Sequence, residues 1–142
     1  MTIHLEIVTP ERLAYSDEVD SVVLPGSEGE LGVLPHHAPL VSTLGAGELR
    51  LRKGAIEESF AIVGGFVQVL PDKVVVMAET ADMASEIDLE KAQEARRKAE
   101  QALEGGFVEG ADLAAARASL LSALLRIRVA ERRHREGPRR RG

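Results

Sequence analysis

The sequence predicts an α+β protein, in which short antiparallel strands form a sandwich or barrel and a pair of helices follows. Two observations predict this order. Over about the first 80 residues, strand-like runs recur roughly every 8–12 residues, with Gly or Pro between them. After Met83, apolar residues recur at spacings of three and four, which is the period of an amphipathic helix. The intervals are too short for crossover helices, which disfavours a parallel α/β sheet.

The strands are predicted from alternation and from the turn residues that separate them. Ile3, Leu5 and Ile7 alternate with His4 and Glu6, as in a half-buried strand. Further strands are predicted at Val19–Leu24, Leu40–Leu44, Glu48–Arg52, Ser59–Val63, Phe66–Leu70 and Val74–Ala78. The turn signals between them are Thr9-Pro10, Pro25-Gly26, Gly45-Ala46-Gly47, Gly64-Gly65 and Pro71-Asp72.

The first predicted helix carries a stripe made mostly of alanine. Ser85 and Asp88 both offer N-cap chemistry at its start, and Glu104-Gly105-Gly106 ends it. The stripe consists of Leu89, Ala92, Ala95, Ala99, Ala102 and Leu103. Each buried methylene contributes only about 0.8 kcal/mol. We therefore expect the hairpin to be weakly docked.

The second helix is predicted to begin at Asp112 as its N-cap and to end at Gly137-Pro138. Its apolar stripe consists of Leu113, Ala116, Leu120, Leu121, Leu124, Leu125 and Ile127. A short loop joins the helices into an antiparallel hairpin. The predicted organisation is a β domain over residues 1–84, a helical hairpin over 85–136 and a disordered basic tail over 137–142.

Composition excludes several classes of protein. The 142 residues include no Cys, so disulfides and thiolate metal sites are excluded, and aromatic residues make up only 3%. The first residues lack the features of a secretory signal, and no apolar run approaches the roughly 20 residues that span a bilayer. Net charge is −5, yet the segment from Arg126 to Gly142 holds eight arginines and two glutamates. A basic end on an acidic body suggests an acidic partner or simply a solvated helix end.

No motif indicates catalysis. The segment Gly26–Gly32 is rich in glycine but lacks the Lys of a phosphate-binding loop, which favours a turn. His36 and His37 are adjacent and point to opposite faces in an extended chain, so metal binding is disfavoured. A nucleophile elbow and paired acid–base carboxylates are not recognisable. The C-terminal arginines favour a protein surface over nucleic acid, because the acidic remainder would repel phosphate.

Four stretches of the sequence carry a family resemblance. The stretch Gly26–Leu44, GSEGELGVLPHHAPLVSTL, closely resembles a signature of the ε subunit of bacterial and chloroplast F-type ATP synthases. The similarity continues through Ser59–Ala81 and returns at Ile87–Ala92 and Leu125–Glu131. This resemblance implies a flattened β-sandwich of about ten strands followed by a two-helix hairpin. It further implies a non-catalytic subunit on the cytoplasmic face of the cell membrane, attached through the complex without inserting into the bilayer.

The resemblance also implies partners. The sandwich would bind the γ subunit and rest on the polar loops of the c-ring, with Glu30, Leu31 and His37 at the interface. The hairpin would lie folded against the sandwich or extend into the catalytic head, where it would inhibit ATP hydrolysis. In that inhibited state Arg126, Arg128, Arg132 and Arg133 would contact an acidic segment of the catalytic α and β subunits.

No cofactor is expected apart from a regulatory ATP, which some members of the family bind on the folded hairpin. The matching positions here are Ile87, Asp88, Lys91, Ala92 and Arg126. Lys91 replaces an arginine of the motif, and Ser122 stands where a second arginine is expected one turn before Arg126. Lysine keeps the charge but loses the planar fork of a guanidinium. Two alternatives to a rotor subunit are a free-standing nucleotide-sensing module and an unrelated β-sandwich adaptor.

Overall fold

A computed structural model describes residues 1–105, 110–136 and 139–140. Ten strands come first, followed by a 3₁₀ turn at Ala84–Glu86 and two helices. The strands are β1 (Ile3–Val8), β2 (Leu13–Val19), β3 (Ser21–Gly26), β4 (Gly29–Val33), β5 (Leu40–Thr43), β6 (Gly47–Lys53), β7 (Ile56–Val63), β8 (Phe66–Val69), β9 (Lys73–Met77) and β10 (Thr80–Met83). The helices are α1 (Leu89–Glu104) and α2 (Ala111–Glu136), and a two-residue strand β11 (Arg139–Arg140) follows them.

The ten strands form two packed sheets. One sheet has the order β2-β1-β9-β8-β5, and the other has the order β10-β7-β6-β3-β4 with β11 also pairing with β7. Every pair is antiparallel except β1 with β9, which run parallel. These two strands lie far apart in sequence, so the chain between them supplies the return path that a parallel pair requires. The predicted sandwich of about ten strands followed by a helical pair is confirmed.

The core lies between the sheets and is aliphatic. Buried and half-buried residues alternate along β1, and β9 shows the same period over Val74–Val76. Phe60 is fully buried and packs edge-on against Tyr15, with ring centroids 5.6 Å apart. The other large core side chains include Ile3, Leu5, Ile7, Leu24, Leu49, Leu51 and Ile62. Inward-facing aliphatic residues from both sheets therefore hold the domain together.

Strands β2, β4 and β10 were missed by the sequence pattern. Strand β2 lies at a sheet edge, and Val19 is its one fully buried residue. Polar and apolar residues therefore show little alternation along its sequence. The Gly26–Gly32 segment was predicted as a turn, but only Ser27 and Glu28 form one, and β4 pairs with β3 on either side of it. In these strands, cross-strand pairing outweighs the local sequence pattern.

Both helices form where the sequence predicts them. The Asp88 side chain accepts a hydrogen bond from the Lys91 backbone N–H at 3.1 Å and so caps α1. Helix α2 begins at Ala111, which makes Asp112 a first-turn residue and corrects its assignment as N-cap. Leu121 and Leu124, predicted to be buried, are 64% and 42% exposed. Gly106 and Gly137-Pro138, predicted as helix ends, lie outside the described residues.

The predicted basic tail over 137–142 is described only at Arg139 and Arg140. These two residues form β11 and pair antiparallel with Glu57 and Ile56 at the start of β7. They lie on the β7 edge beyond the shorter β10, which pairs with β7 from Phe60 onward. The remaining tail residues lie outside the described part of the chain.

Gly65 is the glycine whose replacement we expect to be most damaging. Its φ is +109°, and an added Cβ would lie 1.9 Å from the Met77 carbonyl oxygen. Gly65→Ala should therefore lower the free energy of unfolding by about 2–4 kcal/mol. Gly54 is the matched control, since its φ is +60° and its Cβ would meet open space. Gly54→Ala should lower it by about 1 kcal/mol. Equal losses in denaturant titrations would contradict the close approach at Gly65.

Candidate functional site

A cleft lies at the tip of the β3–β4 hairpin, where the two sheets approach each other. Its volume is about 500 Å³, and its walls are the segments 26–31 and 40–43. The Ser27 and Thr43 hydroxyls are 2.6 Å apart, and the Ser27 backbone N–H donates to the Thr43 carbonyl. The hairpin of one sheet is therefore tied to β5 of the other. Val41 lies on this rim and is 70% exposed.

The structure brings two of the three predicted interface residues together. Glu30 and Leu31 both line the cleft. The Glu30 carboxylate is 62% exposed and lies 3.4 Å from the Arg50 guanidinium, while Leu31 packs partly against the core. His37 lies in the following loop, outside the cleft lining, and its Nδ1 is 2.8 Å from the Ala38 carbonyl oxygen. Glu30 is thus an accessible charge at this cleft, as is the exposed Glu28 beside it.

A second surface cleft, missed by the sequence analysis, is mainly apolar. It has a volume of about 520 Å³ and lies beside β8 and β9. Phe66 and Met77 line it and are about half exposed. The outward register of Phe66, next to buried Val67, is the signal that could have identified it. An aromatic ring at an outward position is typical of a surface that contacts another protein.

The hairpin meets the sandwich at a small seam formed by the buried residues Ala61, Ala84, Leu125 and Val129. Val63 and Ile87 pack around these four. Helix α2 packs against β6, β7 and the 3₁₀ turn, and α1 packs along α2. The buried residues of α1 are Ala92 and Ala99, as the alanine stripe predicts. The apolar contact that anchors the hairpin therefore comes mainly from two side chains of α2.

Ion pairs extend the seam toward the end of α2. Arg132 Nη2 lies 2.9 Å from Glu48 Oε2 on β6 and donates to the Ser59 hydroxyl at 3.2 Å. Arg133 Nη1 donates to Glu58 Oε1 on β7 at 2.6 Å. All four charged side chains are less than one-third exposed. Partial burial reduces solvent screening, so these pairs contribute more than exposed ones.

The residues predicted to bind nucleotide are divided between the seam and the helices. Ile87 packs at the seam, Asp88 caps α1, and Ala92 is buried. Lys91 is exposed to solvent. Arg126 is half-buried, and its Nε is enclosed without a hydrogen-bond partner among the described residues.

The four predicted arginines of α2 have different environments. Arg132 and Arg133 are paired with the sandwich, whereas Arg128 is exposed and makes no ion pair with the described residues. Within residues 1–105, 110–136 and 139–140, neither helix is both long and apolar enough to span a bilayer. The same described residues contain no cluster of three His, Asp or Glu side chains suited to a metal ion.

Electrostatic contacts on the β1–β2 surface are independent of the hairpin. The pKa of Glu18 lies below its usual range because the Thr2 hydroxyl and then the His4 ring hydrogen-bond its carboxylate. A hydrogen bond from Lys53 likewise lowers the pKa of Asp17. Both side chains are about half exposed. Their stabilising contribution is present above the ordinary carboxylate pKa and is lost as pH falls through the lowered values.

Comparison with known proteins agrees with this architecture. Residues 2–84 match the ATP synthase, Delta/Epsilon chain, beta-sandwich domain, and residues 85–131 match the corresponding long alpha-helix domain. An ATP synthase epsilon chain of Dehalococcoides mccartyi is 50% identical over 129 residues, covering 91% of this chain and 92% of the relative. One from Herpetosiphon aurantiacus is 46% identical over 137 residues, covering 96% and 100%.

A solved structure shows the same fold. A chain in the cryo-EM structure of Euglena gracilis mitochondrial ATP synthase, which includes OSCP, F1 and the c-ring, superposes with a TM-score of 0.64 at 24% identity. The match covers 95% of this chain and 81% of that one. The resemblance inferred from Gly26–Leu44 is confirmed, as is the prediction of a non-catalytic subunit. The chain therefore belongs to the ATP synthase delta/epsilon chain family.

Proposed function

We propose that this chain is a central-stalk subunit of an F-type ATP synthase that couples c-ring rotation to ATP synthesis and inhibits ATP hydrolysis through its C-terminal helices. One structural observation carries the proposal. A firmly packed sandwich with an open cleft bears a helical hairpin, which a small apolar seam and two ion pairs hold against it. Membership of the family supports the same role.

In this proposal the sandwich transmits torque and therefore contacts both γ and the c-ring. The cleft beside Glu30 offers an exposed carboxylate to basic residues on the polar loops of the ring. The apolar cleft around Phe66 and Met77 suits a larger interface with γ. These contacts would hold the chain on the cytoplasmic face of the membrane as a peripheral subunit, with no segment of its own in the bilayer.

The hairpin would act as the inhibitory element. Helix α1 buries mainly alanine, and α2 contributes only Leu125 and Val129 to the apolar seam. A segment with few buried contacts opens at a lower free energy than the core does. Release of the hairpin would carry Arg126, Arg128, Arg132 and Arg133 to an acidic segment of the α and β subunits.

Ending the chain at Glu86 tests the inhibitory role. The sandwich should still fold, because its buried core cluster lies entirely between Ile3 and Ala81. We expect the truncated subunit to assemble with its partners and the complex to hydrolyse ATP faster. A rise of about tenfold would correspond to about 1.4 kcal/mol between inhibited and active states. An unchanged steady-state ATPase rate in a fully assembled complex would contradict inhibition by the helices.

Glu30→Lys tests the contact with the ring. Reversal of this exposed charge replaces attraction to basic loop residues by repulsion, so we expect the ring to dissociate roughly threefold more readily. The measurement is the amount of ring that co-purifies with tagged full-length chain as salt is increased. Glu11→Lys, an exposed substitution in the β1–β2 turn, is the matched control. Equal retention by both variants would contradict the role of Glu30.

A regulatory nucleotide is a second candidate ligand. The observation that favours it is the enclosed Arg126 Nε, which lacks a hydrogen-bond partner among the described residues. An enclosed N–H group is stabilised by a hydrogen-bond acceptor, and a phosphate oxygen could supply one. Ile87, Asp88, Lys91 and Ala92 would complete the site.

Calorimetry with ATP on the isolated full-length chain tests this site. Arg126→Gln should weaken binding about tenfold, because a hydrogen bond to a charged group contributes about 1.5–3 kcal/mol. Arg128→Gln is the matched control, since it removes an exposed arginine from the same helix. Equal affinity of the two variants, or no heat of binding with the unaltered chain, would contradict the nucleotide site.

A further inference from the structure

We propose that Glu48 and Glu58 form an acidic receptor within the sandwich for Arg132 and Arg133, so that the docked hairpin occupies the arginines that an acidic partner would need. The hairpin then cannot be docked and bound to that partner through Arg132 and Arg133 at once. The identity of the partner rests on the proposed inhibitory function, whereas the receptor itself rests on the contacts within this chain.

The first argument is placement. Glu48 lies on β6 and Glu58 on the neighbouring β7, and each meets an arginine near the end of α2. Ser59, which is buried, accepts a hydrogen bond from Arg132. The contacts join residues more than 70 positions apart in sequence, so they form only when α2 lies on the sandwich. Their effect is therefore confined to the docked state.

The second argument is the geometry of the pairs. Arg132 approaches Glu48 and Ser59 through a single nitrogen, Nη2, and Arg133 approaches Glu58 through Nη1 alone. Glu48 Oε2 and Glu58 Oε2 are enclosed, and neither is in a hydrogen bond among the described residues. A planar guanidinium gains most from two parallel hydrogen bonds to one carboxylate. A partner that offers such bonds can displace the receptor.

The third argument is competition for Glu48 from within the sandwich. Arg50 Nη1 lies 3.6 Å from Glu48 Oε1 and 3.4 Å from Glu30 Oε2. Glu48 therefore already has a second cation beside it, and it does not depend on Arg132 to be neutralised. Undocking leaves Glu48 partly paired and lowers the penalty of breaking the contact. The receptor thus holds the hairpin and still allows it to leave.

Cysteine accessibility at the seam measures the docked state directly. The chain has no Cys, so Ala84→Cys places one thiol in the seam, where it is covered while α2 is docked. We expect Glu48→Gln with Glu58→Gln to lower the ratio of docked to undocked chain about tenfold and to raise the rate of thiol labelling equally. Val67→Cys, in the sandwich core, reports global unfolding and should label at an unchanged rate.

The matched control is Glu94→Gln with Glu100→Gln, which removes the ion pairs of α1 with Arg97 and Arg96 and leaves the receptor intact. Its labelling rate at position 84 should equal that of the unaltered chain.

Exchanging the charges of one pair, Glu58→Arg with Arg133→Glu, should restore slow labelling relative to Glu58→Arg alone. High salt should accelerate labelling in the unaltered chain far more than in the double glutamine variant.

An unchanged labelling rate in the double glutamine variant, or equal acceleration in the control, would overturn the receptor. This result is separable from failure of the proposed function. If the double variant labels faster but the assembled complex hydrolyses ATP at the same rate with or without the helices, the receptor stands and inhibition fails. If both hold, the double glutamine variant should inhibit hydrolysis more strongly than the unaltered chain.

Discussion

Of the two helices, α2 is the one that packs on the sandwich, and the contacts of the hairpin follow from this constraint. Helix α1 is held by its packing along α2, so both helices depend on the contacts that α2 makes. Those contacts combine a small apolar seam with two ion pairs. Loss of a few of them affects the whole hairpin, whereas the sandwich keeps its own core.

The sandwich and the seam differ in how much they bury. The sandwich core gathers large aliphatic side chains from both sheets, and many of them are fully buried. The seam has four buried residues, two of which are alanines. Since stabilisation scales with apolar area removed from water, the two parts open at very different free energies. The sandwich is therefore held by far more apolar burial than the hairpin is at the seam.

The sequence predicts those features that depend on local periodicity. Alternation identified β1, a strand-like run after a turn signal identified β9, and the spacing of alanines together with Asp88 identified α1. Strands β2, β4 and β10 escaped because partners elsewhere in the chain, more than their own composition, stabilise them. Leu121 and Leu124 belong to the predicted apolar stripe of α2 but are exposed, so the buried face of this helix is narrower than the stripe.

The candidate sites depend on tertiary contacts even more than the missed strands do, so local sequence patterns predict less of them. The motif around Gly26–Leu44 led to Glu30, but its pairing with Arg50 depends on the register of β6 against β3 and β4. Likewise, Arg132 and Arg133 could be recognised as basic from sequence, yet not as already paired with carboxylates of the sandwich. The positive charge at the C-terminal end of the sequence is therefore partly paired with carboxylates of the same chain. A basic helix end indicates an acidic partner in another protein only if its arginines are not already paired within the chain. Here two carboxylates of the sandwich, Glu48 and Glu58, already pair with it.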